Sequence, residues 1–208
     1  MLSYDELLSE LEGAWAAVSL HEHEYIESVI PSSHDRTVKV ELFPEHDEPL
    51  DFETTPPWVE LSFSWSAIHQ LRSEGRNIAN EPLDLAWTYT VNGKSGQERN
   101  DIELTRIFQR AVQGAFERFY PAEAAEMEPV AVEVRRIYQS DGQRIRQEYL
   151  QLVSSNITDL SEQWAEREPR ALRGLLRVEL QLVAAVLSNL SDSFFSPNGR
   201  GYHTVDAA

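Results

Sequence analysis

Two stretches of strict apolar–polar alternation constrain this chain more than anything else in it. Val59, Leu61, Phe63 and Trp65 alternate with Glu60, Ser62, Ser64 and Ser66, and Leu83, Leu85, Trp87, Tyr89 and Val91 repeat the pattern over 83–91. A period of two belongs to strands with one buried and one wet face. The chain must therefore hold an antiparallel sheet that is covered on one side.

The remaining elements are read around that sheet. Residues 22–30 and 37–43 form two further strands about the turn Pro31-Ser32-Ser33-His34-Asp35, with Val38, Val40 and Leu42 facing one way. Val130, Val132 and Val134 suggest a short extra strand, with a helix as the alternative. Residues 3–18 read as a helix: Ser3 and Glu6 make the capping-box pattern ahead of Leu7, Leu8, Leu11, Trp15 and Val18. Asn100 or Asp101 opens a second helix, with Ile102, Leu104, Ile107, Phe108, Val112, Ala115, Phe116 and Phe119 as its stripe, and Pro121 stops it. The acidic, proline-rich stretch 44–57 reads as an exposed loop. Residues 143–167 and 169–193 read as two helices, and Pro169 suits a first helical turn.

The expected fold is α+β: an antiparallel sheet of four to five strands flanked by helices, with a C-terminal antiparallel helical pair. A boundary near 121–129 separates an α+β domain (1–120) from a helical extension (121–208), packed on the sheet or on a second subunit, with a loose tail from about 196.

Composition removes whole classes of function. The chain has 35 acidic and 18 basic residues in 208, a formal net charge of −17, and no cysteine. Disulfide scaffolds and thiolate chemistry are excluded, and nucleic-acid binding is disfavoured because neutralising phosphates needs a basic surface. No run approaches the roughly 18 apolar residues of a membrane span. The start, Met1-Leu2-Ser3-Tyr4-Asp5-Glu6, lacks the basic and apolar regions of a signal peptide, so the expected location is cytoplasmic. Arginine outnumbers lysine 16 to 2, which fits either genome bias or adaptation to salt.

The most suggestive string is His21-Glu22-His23-Glu24-Tyr25-Ile26-Glu27. Histidines at i and i+2 on a strand share a side, and Glu27 extends the set to HxHxxxE. This resembles the first half of the cupin metal-binding pattern, without its flanking glycines and without a later histidine segment at the expected spacing. His34, His46 or His69 would complete such a site only if folding brought them close. Gly93-Lys94-Ser95 resembles the end of a P-loop, yet Thr88 stands where that loop needs its first glycine. Glu41, Glu45, Asp47 and Glu48 read as a solvated acidic run. GxSxG, SxxK and HExxH are all absent. No catalytic, cofactor-binding or metal residue is assigned, and no cofactor is expected.

Arg170, Arg173 and Arg177 share a helical face, open to an acidic partner or to Glu148, Glu162, Glu166 and Glu168. The stripe Leu172, Leu175, Leu176, Val183, Val186, Leu187 and Leu190, joined by Leu180 and Leu182, covers more than one side of its helix. It serves either as core or as a homodimer surface.

The expected function is a non-catalytic intracellular interaction protein, such as an adaptor, specific chaperone or inhibitor, whose acidic surface steers a protein partner. Small secretion chaperones and adaptor domains use a similar layout. Two alternatives stand beside it: a self-assembling structural subunit using residues 169–193, and a metal-dependent enzyme or sensor using His21, His23 and Glu27.

Overall fold

The structure, a computed structural model, describes residues 1–18, 20–44, 56–78, 81–92, 99–140, 142, 144–166 and 169–195. In chain order its elements are α1 (Tyr4–Trp15), β1 (Leu20–Ile30), β2 (Asp35–Pro44), β3 (Trp58–Trp65), α2 (Ala67–Ser73), β4 (Asp84–Asn92), α3 (Asp101–Phe119), α4 (Pro121–Ala124), β5 (Val132–Ser140), β6 (Ile145–Asp159), α5 (Ser161–Glu166) and α6 (Pro169–Phe195). The fold is α+β, with six strands in the order β1-β2-β3-β4-β6-β5. Two compact units interleave along the chain: Met1–Glu45, Val59–Trp87 and Asn156–Ala184 in one, His46–Trp58, Thr88–Ser155 and Ala185–Ala208 in the other.

In the first unit α1 forms as its sequence dictates. Ser3 Oγ accepts from Glu6 N, and Glu6 Oε2 accepts from Ser3 N at 2.7 Å. Leu7, Leu11 and Ala14 are then fully buried, and the Tyr4 ring lies 6.3 Å from Phe63 and 5.8 Å from Trp65. Antiparallel register places Val38 opposite Phe63, Val40 opposite Leu61 and Leu42 opposite Val59, so the alternating apolar residues make one buried face. Burying each such side chain contributes roughly 1.5–3 kcal/mol. A second anchor joins α1 to α6: Arg173 donates to both oxygens of the nearly buried Glu10, at 2.6 and 3.1 Å. At Gly13 a Cβ would stand 3.4 Å from the guanidinium, in ordinary van der Waals contact.

In the second unit α3 starts at Asn100, whose side chain accepts from Glu103 N, and buries Leu104, Phe108, Ala111, Val112 and Ala115. Ile102, expected in that stripe, is instead 66% exposed. The Phe108 ring meets Tyr89 of β4 edge-on at 5.2 Å. Asn189 of α6 donates to the Ala111 carbonyl across Gly114, where a Cβ would sit 3.3 Å from the amide nitrogen. Strands β5 and β6 form a long antiparallel hairpin from Val132–Ser154 to Ser140–Ile145.

That hairpin corrects the sequence reading in three respects. The sheet has six strands rather than four or five. Residues 143–167 are not the first helix of a C-terminal pair: 145–159 is strand β6, and only the six residues of α5 are helical. Hence the C-terminal stretch from 121 is not a helical extension, although α6 itself forms over the expected 169–193. The cause lies in residue chemistry. Val153, Ile157 and Thr158 are β-branched, and Ser154, Ser155 and Asn156 compete for backbone hydrogen bonds, so six consecutive residues disfavour a helix. Alternation is present too, in buried Leu150, Leu152 and Ser154, but the serine hides it. Helix α2 was not foreseen, and the acidic loop over 45–55 and the tail from 196 lie outside the described residues.

Candidate functional site

Strand β1 carries the HxHxxxE string. It is the first strand in the order and, among the described residues, pairs with β2 alone. Nine of its eleven residues are exposed, all but Leu20 and Tyr25. A bulge between Glu22 and Glu24 shifts the register, so that Glu22 faces Leu42, Glu24 faces Glu41 and Glu27 faces Val38. An unbroken strand would put positions 21, 23 and 27 on one side. The bulge instead leaves His21 opposite Phe43 and turns Glu27 to the buried face of Val38 and Leu42.

Both ends of the string have other partners. Tyr4 Oη donates to Glu27 Oε1 at 2.5 Å, and Arg36 lies 3.8 Å from the same oxygen and 4.3 Å over the Tyr4 ring. Burial, reinforced by the Glu27 carboxylate, pushes the Tyr4 phenol well above its ordinary range, and Tyr25 rises for the same two reasons. His23 packs on Phe43 at 4.7 Å between ring centres, with Nδ1 3.4 Å from Glu41. Among the described residues no three of His, Asp or Glu come together in a metal-holding group. His34 occupies the β1–β2 turn at φ 59°, and His46 lies outside the described residues.

His69 stands elsewhere, in a polar cluster that sequence reasoning missed. It is 3% exposed, its ring edge-on to Trp164 at 5.3 Å and 5.5 Å from Trp65. Nδ1 accepts the Ser66 backbone N–H at 3.1 Å, which fixes the tautomer with hydrogen on Nε2, 3.1 Å from the Pro82 carbonyl. Ser66 Oγ donates to Glu81 Oε2 at 2.8 Å, and Arg72 donates to the Glu81 carbonyl. The residue types are those of a serine triad, but the wiring differs. The acid holds the serine rather than the histidine, and the second imidazole nitrogen meets a backbone carbonyl. The cluster caps α2 and ties it to the 81–83 segment. Serine three residues before histidine was its signal in the sequence.

Two features at the C-terminal helix resolve simply. Arg173 pairs with Glu10 of α1, and of its expected glutamates Glu148, Glu166 and Glu168 lie outside the described side chains. The stripe is spent on the interior of the chain itself: Leu172, Leu176, Leu180, Leu187 and Leu190 are fully buried, leaving Leu175 and Leu182 half-buried and Val178 36% exposed. Glu179 is lifted above the usual carboxylate range by burial, against the Thr158 hydroxyl that donates to it at 3.2 Å.

Exposed apolar residues concentrate on the outer hairpins, at Ile26, Val29 and Ile30 in β1 and at Ile137, Tyr138 and Ile145 in β5–β6. A shallow groove of about 410 Å³ is lined by Asp101, Ile102, Thr105, Arg106, Gln109, Val132 and Val134. Compared with protein-family models, curated proteins and solved structures, the chain matches none. No helix among the described residues is long and apolar enough to cross a membrane.

Proposed function

We propose that this chain is a non-catalytic interaction protein, an adaptor, specific chaperone or inhibitor, which accepts a basic partner segment along β1. The observation that carries this reading is the edge strand itself. Among the described residues it ends the strand order, and such an edge pairs with an added strand. Ile26, Val29 and Ile30, at 45, 48 and 56% exposure, supply apolar contact. Glu22 and Glu24 are exposed beside them, and carboxylates along an edge repel a second acidic strand while attracting a basic one.

The test is capture of partners from a lysate of the source cells at native salt, read by mass spectrometry. Wild-type protein is expected to retain a stoichiometric partner with a basic segment. Glu22→Lys/Glu24→Lys and Ile26→Lys are expected to lose it while melting at the wild-type temperature. Retention of the same partners by all three proteins contradicts the reading.

A further inference from the structure

The groove beside α3 has a charge that sets it apart from the rest of the chain. Arg106 and Arg110 stand one turn apart on α3, both exposed. Their neighbours are engaged: Arg99 lies 3.8 Å from Glu103, and Arg136 donates to Asp101 at 2.8 Å. Arg106 and Arg110 make no ion pair or hydrogen bond with any described residue, in a protein of net charge −17. Two guanidinium groups without a carboxylate partner among the described residues thus stand side by side, in a stretch (99–140) that is far less acidic than the rest of the chain.

The groove is also built. Gln109 and Gln113 donate their side-chain amides to the carbonyls of Val130 and Ala124, fixing the opposite wall over the length of α3 that carries the arginines. A second hollow of about 250 Å³ continues the first, lined by Arg106, Arg110, Met127, Pro129 and Val130 among others. The floor is apolar: Val132 and Val134 are only half-buried, and Ile102 is 66% exposed. These valines belong to β5, the last strand in the order, which among the described residues pairs with β6 alone. The end of the described strand order, an apolar floor and two guanidinium groups are therefore carried by the same few elements.

We infer that this groove binds an extended acidic peptide segment, added as a strand to β5. Apolar side chains lie over Val132 and Val134, and carboxylates two residues away reach Arg106 and Arg110. Arginine suits this because its fork can take a carboxylate through two parallel hydrogen bonds. The site is separate from β1 and does not depend on the reading given to that strand.

The test uses the full chain and a fluorescein-labelled octapeptide, Val-Thr-Glu-Thr-Val-Thr-Glu-Thr, followed by anisotropy at low and high salt. Binding is expected at low salt, weakening as salt rises. Arg106→Gln/Arg110→Gln alters two exposed helix positions, so it is expected to leave the melting temperature in place and to weaken binding at least about tenfold. Glu22→Gln/Glu24→Gln is expected to leave this affinity within about twofold, which keeps the fate of the groove distinct from that of β1. Unchanged binding in the arginine variant overturns the proposal. So does binding of a uridine oligonucleotide without the peptide, which makes the groove a phosphate site. Self-association of the unliganded chain that the same substitutions abolish overturns it as well, and gives the groove to a second copy.

Discussion

The hairpins β1–β2 and β5–β6 are constructed alike and charged differently. Each is long, each contains a bulge, and each ends the strand order with an edge strand showing exposed apolar side chains. Residues 1–44, which include the first hairpin, hold nine acidic and two basic residues, whereas residues 99–140, which include β5, hold seven and six. The anchoring differs as well. Tyr4 and Arg36 fasten the first through Glu27, while Arg136 fastens the second to Asp101 and the Arg99 carbonyl. In the two proposals, similar backbone edges take oppositely charged partners through a few side chains. Charge at an edge chooses a partner, and the ladder supplies the generic part of the affinity.

The largest test of this likeness is truncation of each hairpin's buried face. Leu42 in β2 and Leu152 in β6 are both fully buried. Leu42→Ala and Leu152→Ala are each expected to cost about 2–5 kcal/mol in chemical denaturation. A loss below about 1 kcal/mol at Leu152 would mean that β6 is not part of the core.

Removal of the first hairpin's anchor comes next. Tyr4→Phe deletes the hydrogen bond to Glu27 and is expected to cost about 1–2 kcal/mol, with faster amide exchange confined to 20–44. Exchange rising equally across 132–159 would show that the hairpins are not anchored separately. On the other side, Gln109→Ala frees the Val130 carbonyl from its side-chain donor. The expected cost is about 0.5–1 kcal/mol, together with a matching loss of acidic-peptide affinity and no effect on β1.

Alkaline pH should separate the hairpins most finely. The Tyr4 phenol is raised in the folded state, so its contribution is fully present below the unfolded value of about 10 and is lost as pH rises through the folded one. Amide exchange in β1 and β2, corrected for intrinsic rate, should therefore accelerate as pH climbs above about 10, ahead of β5 and β6. In Tyr4→Phe the onset should move or vanish. Simultaneous loosening of both hairpins in both proteins would contradict the assigned cause.

The first hairpin was legible in the sequence, whereas of the second only the start of β5, at Val132 and Val134, was, for physical reasons. Val38, Val40 and Leu42 alternate without interruption, and a turn-forming run separates them from β1. In β6 the inward series Leu150, Leu152, Ser154 ends on a hydroxyl, while Tyr149, Leu150, Leu152 and Val153 also satisfy a helical period. Helix α2 is only seven residues long, too short for periodicity to register, and its N-terminal histidine cap has no common signature. The HxHxxxE string was visible, but the bulge that turns Glu27 to the other face depends on pairing with β2, which spacing alone does not encode. The groove was missed for a related reason: Arg106 and Arg110 look like ordinary helix-surface charge until the positions of Asp101, Glu103 and the 124–130 segment show that neither has a partner among the described residues.

Site-resolved amide hydrogen exchange of the full chain with a basic octapeptide, Val-Thr-Lys-Thr-Val-Thr-Lys-Thr, tests the proposed β1 interaction most directly. The prediction is new protection within 20–30, absent from 132–140 and lost in Glu22→Lys/Glu24→Lys. Protection that is missing from β1, or that appears equally with the acidic peptide, would contradict it.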